Sequence, residues 1–369
     1  MQEQSVKLLI DLLKIYSPSG KEEEISDYLI EVMNEFGIKS YKDEVGNVIG
    51  IHGKESPIVL FCGHIDTVPG FIPVEIKESK IYGRGAVDAK SSFASMLFAM
   101  KLLKDEEFKG KIIIAGLVDE EGKGLGIKHF IKNNSFKFDY AIFGEPSGIQ
   151  NITIGYKGSL HLSINCKTLT GHSASPWLFE NAIEKSIEIW NLIKNFHLPN
   201  EKIGSIFYSI TSCLTKLYGG GKPGLVPDEC EMEIDLRFPP PFSPGFIFEE
   251  IKKIVEKYNE ENKKVSINIS LNDFCPAFES EKNSLLVKSL AWAIRNVTSK
   301  PATLVKKTGT ADMNILGQVL KIPTVAYGPG DSKLDHSPNE HITIDEYLAS
   351  IQVYKRAIIK LLELHSKVS

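Results

Sequence analysis

The stretch Leu60-Phe-Cys-Gly-His-Ile-Asp-Thr-Val-Pro-Gly70, "LFCGHIDTVPG", governs how the whole chain is read. Residues 58–62 form a short apolar, β-rich run that reads as a strand buried on both faces. The run then breaks into His64-Ile65-Asp66, with Pro-Gly close behind. Positions i and i+2 share a strand face, so His64 and Asp66 are expected to meet at the strand's carboxyl end, where open α/β sheets hold ligands. A surface histidine beside an acid is the other reading of that tripeptide, and the surrounding chain has to choose between them.

Outward from this stretch, the pattern alternates. An amphipathic helix opens the chain, and "SPSGKEEE" announces a second, with Ser19 and Glu22 at capping-box spacing. After strand 58–62 come the helix "KSSFASMLFAMKLL", strand 112–118, a helix near 124–133 and strand 139–143. This order predicts an α/β fold with a central, at least partly parallel sheet between helices. From about residue 158 the texture changes. "SLHLSINCKTL", "SIFYSITSCLTKL" and "ECEMEIDLRF" alternate as strands with one solvated face, separated by two amphipathic helices. An inserted α+β domain over 158–272 is expected, leaving a first domain built from 1–157 and 273–369. In its last part a helix over 283–297, strand 323–327 and a long terminal helix from 343 restore the α/β pattern.

Composition narrows the classes. The 369 residues exceed what one core usually holds, and 24% charged with 42% apolar residues is an ordinary globular balance. A net charge of −4 without any Lys/Arg-rich run argues against a nucleic-acid partner. No apolar stretch reaches membrane-spanning length, and "MQEQSVKLLIDLLKIY" carries acids where a signal peptide would not. Cys62, Cys166, Cys213, Cys230 and Cys275 are odd in number and scattered, so a reduced, cytoplasmic protein is expected.

Further acids and a histidine recur at strand ends. Asp88 sits in the Gly-flanked loop "GRGAVDAKS", Glu120 and Glu121 follow strand 112–118, and Glu145 follows strand 139–143. His336 lies in "GPGDSKLDHSPNE" after strand 323–327. Singly, each reads as a solvated loop residue. Together, two imidazoles and several carboxylates converging on one sheet edge make a mixed N/O site suited to zinc or a similar divalent ion.

These motifs, with "GHSASP" and "DLRFPP" in the inserted domain, resemble the signature of the co-catalytic zinc exopeptidases and deacylases. That family includes acetylornithine deacetylase, succinyl-diaminopimelate desuccinylase, aminoacylase and glutamate carboxypeptidase. The resemblance covers essentially the whole chain and implies a zinc-exopeptidase-like catalytic domain with an inserted lid and dimerisation domain. It also implies two divalent ions, zinc or cobalt, bridged by Asp88, with His64 and Glu145 completing one site and Glu121 and His336 the other. Asp66 would steady the His64 ring, and Glu120 would be the general base. His172 would reach the site of the partner subunit in a homodimer and stabilise the oxyanion. Arg237 would hold a substrate carboxylate, with Thr308, Gly309 and Thr310 as a polar pocket edge.

"YSPSGKE", "GRGAVDAK", "KTGTADMNI" and "YGPGDSKLDHSP" sharpen the resemblance. They are similar to the branch of that family that hydrolyses lysine or ornithine from a LysW-type amino-group carrier protein, the last step of carrier-dependent lysine and arginine biosynthesis. Such carriers are acidic, and Lys306, Lys307 and Lys333 beside the pocket motifs are the expected docking charges. The alternatives are an N-acetyl-lysine or N-acetylornithine deacetylase, a desuccinylase without carrier, a di- or tripeptidase, or a non-catalytic binding protein on the same fold.

Overall fold

A computed structural model describes residues 2–198 and 204–368 and divides them into two compact units. The first comprises residues up to Ile154, Ser280–Val305 and Ala311 onward; the second comprises Gly155–Glu279 and Lys306–Thr310.

The core of the first unit is a mixed sheet. Its strands run in the order Lys39–Lys42, Val48–Gly53, Lys111–Leu117, Ile58–His64, Tyr140–Gly144, Thr324–Tyr327 and Asn151–Tyr156. The middle four are parallel to one another, and the flanking strands are antiparallel. Parallel strands covered by helices on both faces need near-continuous apolar runs. Ile112 to Leu117 and Val59 to His64 are all buried accordingly. The helix Lys90–Leu103 is buried nearly all round, as its unbroken run of small and apolar residues requires. Gln2–Lys14, Leu285–Thr298 and Ile344–His365 pack with it and with one another. Phe61, Tyr354 and Tyr327 stack edge-on at the centre of this packing, with ring centroids 5.4 and 5.2 Å apart.

Local signals explain several helix starts. Ser284 and Thr343 accept hydrogen bonds from the N–H groups of Val287 and Glu346, at the heads of the last two long helices. The capping box read at Ser19 and Glu22 does not form. The helix there is Glu23–Glu35, Glu22 is its N-cap without a side-chain cap bond, and Ser19 Oγ donates to Asp66 at 2.7 Å. A buried carboxylate is the stronger acceptor, so the tertiary partner wins over the local one.

The second unit is a four-stranded antiparallel sheet in the order Thr211–Gly219, Glu229–Phe238, Gly158–Lys167 and Ser266–Cys275. Strict alternation puts Leu160, Leu162, Ile164, Met232, Ile234 and Leu236 on one buried face. The helices Ala182–Lys194 and Pro244–Glu261 cover it, capped by Asn181 and Ser243. Of the expected strand "SIFYSITSCLTKL", only the part from Thr211 is extended; Ser205 to Ser209 turn on hydrogen bonds such as Tyr208 N–H to Ser205 O. The fourth strand, Ser266–Cys275, was not among the expected strands, although Ile267, Ile269 and Leu271 alternate onto the core. All five cysteines are free.

Candidate metal centre

The four parallel strands end on the same edge of the sheet, so whatever follows each carboxyl end is delivered to one place. His64 is the last residue of its strand, in register with Leu117 on the neighbouring one. The strand is longer than the apolar run 58–62, because the ladder with Lys111–Leu117 continues through Gly63 and His64. Glu120 and Glu121 follow that neighbour, Glu145 follows Tyr140–Gly144, and His336 follows Thr324–Tyr327. Asp88 stands just before the helix Lys90–Leu103.

The side chains meet. Asp88 presents one oxygen to each histidine: Oδ1 lies 3.1 Å from His64 Nε2, and Oδ2 lies 3.2 Å from His336 Nε2. His336 Nε2 is also 2.8 Å from Glu121 Oε1. Ligand atoms of His64, Asp88 and Glu121 all lie within 4.8 Å of one another. Glu145 is buried beside them, and its charge helps raise the Glu120 carboxyl.

Asp66 does more than steady a ring. The His64 Nδ1 nitrogen lies 3.0 Å from the Asp66 main-chain oxygen and 3.4 Å from its carboxylate. The carboxylate itself accepts the backbone N–H groups of Glu120 at 3.1 Å and Glu121 at 3.0 Å, along with Ser19 Oγ. It therefore sets the loop that carries both glutamates. Asp119, with φ of 61°, turns the chain tightly at the start of that loop.

Charge in the cluster is finely set. Burial pushes the Glu120 carboxyl well above the usual range; His64 opposes the rise, while Asp312, Glu145 and Glu121 add to it. Burial likewise pushes the Asp312 carboxyl up to about 7. For Asp88 burial acts upward, but the hydrogen bonds from His336 and His64 outweigh it and hold the carboxyl low. The Asp88 contact raises His336 to about 9. Burial acts downward on His64, yet Asp66 and Asp88 leave it raised. The cluster thus draws positive charge, and divalent ions held by two imidazoles and carboxylate oxygens meet that need. Buried hydroxyls of Thr67, Ser91, Ser92 and Ser337 and the Asp312 Oδ2 atom have no hydrogen-bond partner, and they stand in the segments around the ligands. The residues fit a pair of divalent ions. Cys62 is fully buried and its thiol is pushed up by that burial, as suits a core cysteine.

The remaining residues belong to the second unit. His172 is exposed, and its Nδ1 accepts the Ala174 N–H at 3.0 Å. A neutral ring bonded this way carries its proton on Nε2 and can donate it. Arg237 does not stand alone as a waiting guanidinium. Its Nε and Nη2 both bond the Asp235 carboxylate at 2.7 Å, two positions along the same strand face, so one edge of the fork is taken. Thr308 and Gly309 are exposed and Thr310 is half-buried. Lys306 is not a free docking charge: its Nζ lies 2.5 Å from Glu279 and also meets the Tyr208 hydroxyl. That neutralising partner lies 27 positions away and left no mark in the sequence around Lys306.

Glu340 was missed altogether. It is 1% exposed, bonds Arg84 at 2.8 Å, and accepts the backbone N–H groups of Gly85, Val87 and Asp88. Its place four residues after His336 was the available signal, but an acid in "SPNEH" reads as loop surface.

An amide carbonyl brought to such a centre is open to attack by an activated water, and a chain built this way is a metal-dependent hydrolase. It belongs to peptidase family M20/M25/M40, which matches residues 60–360. A provisionally named LysW-lysine/LysW-ornithine hydrolase of Pyrococcus furiosus is 40% identical over 97% of this chain and 98% of its own. The LysW-lysine/LysW-ornithine hydrolase of Saccharolobus islandicus is 34% identical over 98% and 97%. Among solved structures, the aminopeptidase PepT of Bacillus cereus shares the fold, with a TM-score of 0.82 and 21% identity over 98% of this chain and 99% of its own.

Proposed function

We propose that this protein is a two-zinc amidohydrolase that releases lysine or ornithine from the γ-carboxyl of the terminal glutamate of a LysW-type carrier protein. The observation that carries the chemistry is the Asp88 carboxylate set between His64 and His336, with Glu120 beside Glu121. Likeness to the Saccharolobus islandicus hydrolase along nearly the full length supports the carrier substrate over free acylated amino acids.

In this reading Asp88 would be shared, with His64 and Glu145 holding one ion and Glu121 and His336 the other. Bound divalent ions supply Lewis acidity, making water a better acid and the amide carbonyl a better electrophile. The Glu120 carboxylate takes the proton of the attacking water and returns it to the departing α-amine. His172, with its proton on Nε2, donates to the oxyanion that develops on the carbonyl. The Arg237 guanidinium, braced by Asp235, offers its free edge to the carboxylate of the amino acid being released. The 158–272 segment acts as lid and dimer contact, and the protein works in the cytoplasm as a homodimer. No helix among the described residues is long and apolar enough to cross a membrane.

Two measurements test this. Carrier-linked lysine, carrier-linked ornithine and acetyl-lysine are compared side by side by product analysis. Carrier-linked substrates are expected to be turned over with kcat/KM at least about tenfold higher than acetyl-lysine, a modest 1.4 kcal/mol. Equal or better turnover of acetyl-lysine would make this a deacetylase. For the dimer, inactive His172→Ala and Glu120→Gln chains are mixed under conditions of proven subunit exchange. Activity should return toward a quarter of wild type, since half the chains pair as hybrids and one of their two sites is intact. No return of activity would place His172 in its own chain's site or outside catalysis.

A further inference from the structure

Among the described residues, Arg84 and Glu340 form a buried charged pair that the chemistry above does not use. Arg84 and Glu340, 8% and 1% exposed, are brought together by the small antiparallel sheet of Glu75–Lys77, Lys80–Tyr82 and His341–Thr343. Pairing of His341 with Tyr82 places Glu340 opposite Gly83, whose N–H donates to the Glu340 main-chain oxygen at 3.3 Å. The side chain is then free to turn inward. Its Oε1 accepts three N–H groups of one loop, from Gly85 at 3.0 Å, Val87 at 2.9 Å and Asp88 at 3.0 Å. Its Oε2 takes Arg84 Nη1 at 2.8 Å. Arg84 goes on to donate to the carbonyls of Gly70 and Ser337.

We propose that Glu340 is a positioning residue for the shared ligand Asp88, and that through Arg84 it holds the Asp88 loop in register with the loop carrying His336. The proposal rests on the ligand assignment above. A cupped run of backbone N–H groups ordinarily binds an anion. Here the chain's own carboxylate fills the cup and fixes the backbone from which the Asp88 side chain projects. Gly85 permits the loop: its φ is +89°, and a Cβ there would meet Lys90 carbons at 2.9 Å. Ser337, bonded by Arg84, adjoins His336, so one ion pair grips both segments whose side chains meet at Asp88 Oδ2. The two loops, joined by a contact across 253 residues of sequence, need such a clasp, because neither is a strand or helix at the ligand itself. A buried charge is costly unless fully bonded, and this one is bonded entirely to the ligand-bearing loops.

The test uses the full-length protein stripped of metal and titrated with zinc against a chromogenic chelator. Glu340→Gln keeps an oxygen for the three N–H groups but turns an amide donor toward Arg84. Its zinc affinity is expected to fall about 10–100-fold, the usual effect of losing an outer partner of a ligand. Excess zinc should restore most of kcat while KM for substrate stays unchanged. Glu340→Ala should lose more affinity than Gln, and Arg84→Lys, which cannot span three oxygens, should resemble Gln. Zinc affinity within twofold of wild type in folded Gln and Lys variants would overturn the proposal, even if their metal-free unfolding temperature drops. If the Ala variant does not fold, the other two still decide. Asp88→Ala serves as the control. Two zinc ions bound by Asp88→Ala would sink the ligand assignment itself; a metal-poor Asp88→Ala beside a normal Glu340→Gln would sink only the positioning role.

Discussion

Asp88→Ala is expected to abolish turnover and strip the protein of bound divalent metal, the largest effect of any single substitution in the chain. The carboxylate touches both histidines, one through each oxygen, a two-sided contact that no other described residue makes. Removing an outer partner of a ligand costs about 10–100-fold in affinity or activity. Removing a ligand shared by two ions should exceed that range for both. Metal content by atomic spectroscopy should fall well below that of the wild type after dialysis, and kcat should drop to background. The fold should survive, since Asp88 lies in a loop and the helix after it is held by apolar packing. Full metal content in Asp88→Ala would show that the ions are held elsewhere.

The second large effect separates base from ligand. Glu120→Gln keeps the size and hydrogen-bonding shape of the side chain, and its backbone N–H stays anchored on Asp66. Metal content should therefore match wild type. The amide cannot take a proton from water or return it to the amine, so kcat should fall about 10²–10⁴-fold, the usual worth of a general base. KM should change little, because Glu120 acts in the transition state rather than in binding. A near-wild-type rate would move the base elsewhere, with the buried Asp312 as the next carboxylate to test.

Much of this architecture was written locally. The run through Phe61 and Cys62 is apolar on both faces, and only a strand buried between neighbours accommodates that. "KSSFASMLFAMKLL" became the helix Lys90–Leu103 residue for residue, because its small and apolar positions suit burial on every side. Ser243, Ser284 and Thr343 start their helices by accepting the N–H three residues on. The positions of His64, Glu120, Glu121, Glu145 and His336 at strand ends followed from the same periodicity. Parallel strands share one carboxyl edge, so recognising the strands already brought these residues near one another.

Other features were decided only by tertiary structure. Ser19 and Glu22 had the spacing of a capping box, yet Ser19 turned to Asp66, 47 residues away, and Glu22 took the N–H groups of Gly20 and Asp119. Arg84 meets Glu340 across 256 residues, and Lys306 is neutralised by Glu279. The edge strand Lys39–Lys42 is short and mostly exposed, so only its ladder with Val48–Gly53 defines it. The difference is physical. Periodicity and caps depend on neighbours within one or two turns, so the chain alone determines them. The partner of a buried charge is whichever group the fold carries to it, and desolvation makes that contact decisive only once the fold has closed around it.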